Sequence, residues 1–454
     1  MRNRLASIAL LLVLLASASP ASAQAQSEPS LAAILQRLER LEQQNQALTE
    51  EVAELKRQLA GTPAAKPLEE RLEVQERRTE ELADTKVQAS QRLPISITGM
   101  LLFNAYSNGR FNGTSENPTS ASVNAVPRTK GGAMRQSLVG LLFRSPTTVL
   151  GAEVNGSLFM DFFSGPTTLG DRLVSNNLTR QMRLRLATVQ LDWGATSLLV
   201  GQDKPLISPR EPNSLAQVGV SPLTNAGNPW LWQPQVRLEQ RLNLGAQTDL
   251  RAQVGIFQTV EGAGGLAPEG VAPTVESSRP GYQGRLAFHH GFGNEGHIEF
   301  APAFHASATH VIGTSVPSRL YTVDWSLAPN ARMAFTGMYY KGHNTSPLGT
   351  IRQGFTVIGP GKAIAVHSNG GWAQLSFEAT PRLTLNLFGG QHDDRDSDLR
   401  AGAIGKNFAY AGNAQYRIAP NIIVAFETMK LRTTYIGPGL RRNTHYDLAL
   451  GYRF

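Results

Sequence analysis

The sequence predicts an all-β transmembrane barrel of about 16 antiparallel strands, preceded by an α-helical coiled coil. Three observations predict it. Strand-length segments between residue 93 and Phe454 alternate apolar and polar side chains with period two, the connections between them alternate short and long, and a heptad pattern occupies residues 31–59 ahead of them.

The first element is a leader. Arg2 and Arg4 precede the apolar run Ile8 to Leu15, and small residues ending in Ala21-Ser22-Ala23 follow, the order of a cleavable signal peptide over residues 1–23. The apolar run is too short to span a bilayer, which takes roughly 20 apolar residues, and no later stretch supplies them. A chain of this kind can cross a membrane only as a closed barrel, because every backbone polar group in hydrocarbon needs a partner.

Residues 24–92 form the second element, a periplasmic stalk and linker. Leu31, Leu38, Asn45, Val52 and Leu59 take the a positions of a heptad, and Ile34, Leu41, Leu48 and Leu55 take the d positions. Arg37 at g meets Glu42 at e of a parallel neighbour, and Glu51 meets Lys56 likewise. Asn45 at an a position favours two chains, whereas Arg37 to Glu42 resembles the Arg-h-x-x-h-Glu pattern of parallel trimers; a homotrimer is the expectation. Gly61-Thr62-Pro63 breaks the helix, and residues 67–90 read as a second charged helix.

The barrel occupies residues 93–454. "VLGAEVNGSLFMDFF" (149–163), "TDLRAQVGIF" (248–257) and "NFAYAGNAQYRI" (407–418) each place apolar residues on one face and polar ones on the other. Tight turns fall at residues 145–147, 194–196, 244–246, 292–294, 328–330, 380–381 and 419–421. Longer polar connections fall around 107–131, 164–179, 205–233, 261–279, 306–317, 343–368, 393–404 and 433–443. The segment "HYDLALGYRF" (445–454) reads as the closing strand, with Tyr452 and Phe454 in the lipid-facing row and Phe454 as the signal read by the barrel-assembly machinery.

Charge locates the function. The chain carries 43 Lys plus Arg against 35 Asp plus Glu, and its positive excess sits in the barrel, not in the stalk. Strand alternation turns Arg183, Arg185, Arg237, Arg241, Arg251, Arg285 and Arg417 toward the lumen, with a bulge expected where the phase slips at Ala187 to Val189. Glu153, Asp161, Glu239, Glu299 and Glu378 point inward too, so each arginine can also serve as one half of a wall ion pair. Fixed charge at a narrow section between low-dielectric walls selects among ions.

A signal peptide, a heptad segment and a strand series of this kind, with "MRQSLVGLLF" (134–143), "FMDFFSG" (159–165), "RQMRLRLATVQLDWGATSLLVGQD" (180–203) and "WQPQVRLEQ" (232–240), resemble the trimeric DcaP-like porins of the Gram-negative outer membrane. The resemblance implies passive uptake of small polar solutes, often anions such as dicarboxylates, through a pore narrowed by an inward-folded loop. The long connection after the fifth strand stands where that loop would be, with Lys204 and Arg210 as its candidate pore charges; a loop covering the rim or a trimer seam is the alternative reading of the same stretch. The chain departs from many porins at Leu138-Val139-Gly140-Leu141-Leu142, where they carry Arg-x-Gly-x-Arg.

Other classes find little support. No nucleophile elbow, phosphate loop or metal-ligand spacing occurs, so no catalysis, cofactor or metal is expected. Asp394, Asp396 and Asp398 begin like a calcium loop, but Leu399 and Gly405 stand where Gly and Glu are needed. No aromatic-basic motif suggests nucleic acid. The rival from another class is an envelope tether, in which the coiled coil, about 40 Å long, spaces the outer membrane and the barrel is its anchor.

Overall fold

Period-two alternation leaves these segments one way to satisfy both faces, a sheet with oil on one side and water on the other, and closing that sheet removes its edges. The structure, a computed structural model, describes residues 95–164, 181–259, 275–276, 280–293, 295–351 and 353–454. The chain divides into two units, Met1–Arg92 and Leu93–Phe454, and all described residues belong to the second. The signal segment and the heptad segment, with Arg37, Glu42 and Asn45, lie outside the described residues.

The strands are β1 (Ile95–Asn108), β2 (Thr129–Ala133), β3 (Leu138–Arg144), β4 (Glu153–Ser164), β5 (Gln181–Asp192), β6 (Thr196–Asp203), β7 (Gln233–Gly245), β8 (Thr248–Gln258), β9 (Val275–Glu276) and β10 (Pro280–Phe292). They continue as β11 (Gly296–Val311), β12 (Thr314–Asn330), β13 (Met333–His343), β14 (Phe355–Gly359), β15 (Lys362–Ala365), β16 (His367–Thr380), β17 (Leu383–Asp394), β18 (Ile404–Ala419), β19 (Ile422–Tyr435) and β20 (Gly439–Arg453). β2 and β3 share one stave, since both pair with β1. β9 adds a short pairing to β11, and β14 with β15 makes a hairpin outside the main sheet. The remainder closes a 16-strand antiparallel barrel, with β1 sealed against β20 from Met100↔Arg453 to Asn108↔His445.

Side chains sort as the alternation requires. On β20, Tyr446, Leu448 and Leu450 are about half exposed on the outside, while His445, Asp447 and Ala449 are buried on the inside. Leu101 and Phe103 repeat the pattern on β1 against buried Leu102 and Asn104. So much outward apolar surface is stable only against hydrocarbon.

Two expectations need correction. The β5 bulge falls at Arg185, not at Ala187 to Val189: Phe159 pairs with Leu186 and Met160 with Leu184, so Arg185 is the extra residue. Around 306–317 and 433–443 there are no long loops. There β11 and β12 turn at Ile312-Gly313, both with positive φ as a tight hairpin turn needs, and β19 and β20 turn at residues 436–438. Residues 306–317 are mostly small or polar on both faces, so the strands run on without the alternation by which strands are recognised.

Candidate functional site

The long connection from β6 to β7, residues 204–232, folds into the lumen, and most of its side chains are buried there. A loop can lie inside a polar barrel only if its backbone groups find partners, and here the wall supplies them. The stave shared by β2 and β3 breaks at residues 134–137, which frees Gln136 to point inward. Its Oε1 accepts from the N–H groups of Val218 (2.7 Å) and Gly219 (2.8 Å), and its Nε2 donates to the carbonyl of Ala216 (2.9 Å). Asn104 donates to the carbonyl of Leu215 at 2.8 Å and to Asp447 at 2.9 Å.

The bulge at Arg185 does the same from another wall. It lets two successive inward arginines share one carboxylate: Arg183 meets Asp161 at 2.6 Å, and Arg185 meets it at 3.2 Å. Each also donates to a loop carbonyl, Arg183 to Gly219 and Arg185 to Val218 (2.7 Å), and both guanidinium groups lie over the Trp232 ring. These arginines grip the loop as well as charging the lumen.

Further along, Arg210 pairs with Glu299 (2.9 Å) and Asp324, both of which also bind Arg285. Two guanidinium groups and two carboxylates thus neutralise one another, with Arg285 almost wholly buried. Ser214 donates to Glu427 (2.6 Å), Asn213 accepts from Asn413 (2.8 Å), and Gln283 accepts from the N–H of Leu206 (2.8 Å). Gly227, at φ 102°, runs so close to the backbone of Gly371 that a side chain there would collide with it.

Within the loop, Lys204 pairs with Glu211 at 2.8 Å, and Ser221 donates to the same carboxylate at 2.6 Å. Burial pushes the Glu211 carboxyl up, but the Lys204 charge and these hydrogen bonds outweigh burial and hold it below its ordinary range.

Of the remaining predicted residues, Arg237, Arg241 and Arg251 lie on the neighbouring strands β7 and β8, and the others lie elsewhere on the barrel. Arg237 pairs with Asp203 at 3.1 Å. Arg241 and Arg251 share Glu239 at 3.4 and 3.5 Å, and their side chains stay 46% and 33% exposed. Arg417 lies on the inward face of β18 beyond Asn413, exposed and without an ion pair among the described residues. Tyr452 and Phe454 stand on the outer face, both over 40% exposed. Sequence reasoning missed Gln136, Asn104, Asp203 and Asp324. Nothing local marks Gln136, whose role comes from a stave break that only the assembled barrel reveals.

No family model matches the chain, and no curated protein matches it. Among solved structures it is similar to the outer membrane channel DcaP of Acinetobacter baumannii, at 14% identity over 79% of this chain and 97% of that one, with a TM-score of 0.62. It also matches an anion-selective porin from Comamonas acidovorans, at 12% identity over 79% of this chain and 99% of that one, with a TM-score of 0.49. The likeness to DcaP establishes the fold, a porin-type barrel.

Proposed function

We propose that this chain is a passive porin of a Gram-negative outer membrane, admitting small hydrophilic solutes through the space left beside the lumenal loop, with a bias toward anions such as carboxylates. The observation that carries the reading is the loop of residues 204–232, held across a polar lumen inside a wall whose outer face is apolar. The anion bias rests on two arginine pairs on the wall of β5, β7 and β8, set against inward Asp249, Glu427 and Asp447, which have no Lys or Arg partner among the described residues. Arg183 and Arg185 share Asp161, and Arg241 and Arg251 share Glu239, so each group leaves one positive charge over. Arg417 adds another, whereas Arg210, Arg285, Arg237 and Lys204 are matched by carboxylates.

In the same reading the heptad segment joins three copies in the periplasm, and the row ending in Tyr452 and Phe454 hands the chain to the barrel-assembly machinery. Single-channel recording from the purified protein in a planar bilayer, with a salt gradient, tests the proposal. Ohmic steps with a reversal potential toward chloride support it; intact barrels that never conduct would leave the tether reading in its place.

A further inference from the structure

Arg432 on β19 and Arg442 on β20 are register partners, directly opposite one another across the two strands. Both are exposed and share the outward parity of Phe426, Leu448 and Leu450, while Thr433 and Asn443 beside them are buried inside. Like charges directly opposite on adjacent strands repel. Neither arginine has an ion pair or side-chain hydrogen bond among the described residues, and no acid occupies the outward face of either strand. Lys430, exposed and two residues below Arg432 on the same face, adds a third cation without a partner among the described residues.

The surroundings say what would neutralise them. Phe408 pairs with Arg432 and Tyr410 with Lys430, and the two rings lie 5.7 Å apart, an aromatic shelf of the kind that marks a membrane interface. Thr428 and Thr444 offer hydroxyls on the same outward rows, and below them Tyr446, Phe426, Leu448 and Leu450 continue as the apolar band. On the β18 side the next outward cation, Lys406, is already satisfied by Asp393 at 2.9 Å. An occupant must therefore carry anionic charge level with Arg432 and Arg442 and hydrocarbon directly beneath it.

We propose that the outward face of β19 and β20 binds a phosphorylated lipid headgroup of the leaflet surrounding the long-loop end of the barrel, with its phosphate between Arg432, Arg442 and Lys430 and its acyl chains along Phe426, Leu448 and Leu450. The inference rests on the membrane-spanning reading but not on conduction. A second copy of the chain fits the face less well, because it would have to bring an acidic patch to a surface whose lower half is apolar.

The test uses the full-length protein in detergent and a bis-phosphorylated lipid A as probe, with retention read by native mass spectrometry. Wild-type protein should retain the lipid, and Arg432→Gln with Arg442→Gln should retain it roughly thirtyfold less tightly, as the loss of two interfacial cations implies. The control Arg332→Gln, in the short turn at the other end, should bind as wild type. Dephosphorylated lipid should bind the wild type no better than it binds the double variant, and millimolar inorganic phosphate should not displace lipid A. Lys430→Gln alone should weaken retention less than the double variant, and it serves if the double variant does not fold. Equal retention by wild type and variants would overturn the proposal, as would displacement by free phosphate. A change of oligomeric state in the arginine variants would also overturn it, by marking the face as a subunit seam. Single-channel conductance of the same variants should be unchanged, so a failure of the porin reading would show itself separately.

Discussion

Phe454 and Gly99 exchange backbone hydrogen bonds, Gly99 donating at 3.0 Å and Phe454 at 3.2 Å, and the Phe454 ring lies over the bare Cα of Gly99. A Cβ on residue 99 would come within 2.6 Å of that ring and would also press on the carbonyl of Leu138. The barrel is thus sealed where β1, β3 and the end of β20 meet, and the seal needs an aromatic on one side and no side chain on the other.

The first prediction concerns that seal. Phe454→Asp places a charge in the lipid-facing row and should leave the protein as periplasmic aggregate, and Gly99→Leu should impair insertion through the opposite partner. The check is the fraction of heat-modifiable barrel in outer-membrane preparations. Wild-type levels for both variants would refute the assignment.

A second prediction concerns the loop. Gln136→Leu leaves the N–H groups of Val218 and Gly219 without their acceptor, at a cost of about 1–3 kcal/mol for each buried donor. The barrel wall should survive while the loop loosens, so trypsin should cut after Arg210 faster than in wild type and open-channel noise should rise. Unchanged proteolysis would mean that the loop is held without Gln136.

The third concerns pH. Glu211 has a depressed pKa in the folded loop, so its pairing with Lys204 contributes in full above its ordinary value of 4.5 and is lost as pH falls through the lower, folded value. Glu211→Gln should be noisier than wild type at neutral pH and insensitive to that acid step. The noise difference between wild type and Glu211→Gln should stay constant from neutral pH down to about pH 4 and close only in stronger acid, where Glu211 itself takes up a proton. A difference that already closes near pH 6 would point to a different group.

The fourth concerns the stalk. An isolated peptide of residues 28–60 should be helical and trimeric by analytical ultracentrifugation, with Asn45 fixing the register. A monomer, or an antiparallel pair by cross-linking, would contradict the parallel trimer.

Much of the wall was legible in the sequence because alternation is local: Leu448 and Asp447 announce their faces from neighbouring positions. The tight turns were legible for the same reason. The hairpin at Ile312-Gly313 was not, since residues small and polar on both faces lose the alternation that identifies a strand. The site was half legible. Arg183 and Arg185 could be placed inward from Met182 and Leu184, but their common partner Asp161 lies on the neighbouring strand, and their grip on residues 218 and 219 depends on how the loop crosses the lumen. Such pairings are set by register and closure, which no short window of sequence contains.

The central claim is a conducting pore with a positive bias on the wall of β5, β7 and β8. The most direct measurement is the reversal potential of single channels under a tenfold potassium chloride gradient at low and high ionic strength. Wild type should favour chloride, and the preference should shrink as the screening length falls from about 10 Å at 0.1 M to about 3 Å at 1 M. Arg241→Gln with Arg251→Gln should reduce the preference without closing the pore, since these arginines bind Glu239 and not the loop. Cation preference in the wild type at low salt would contradict the account.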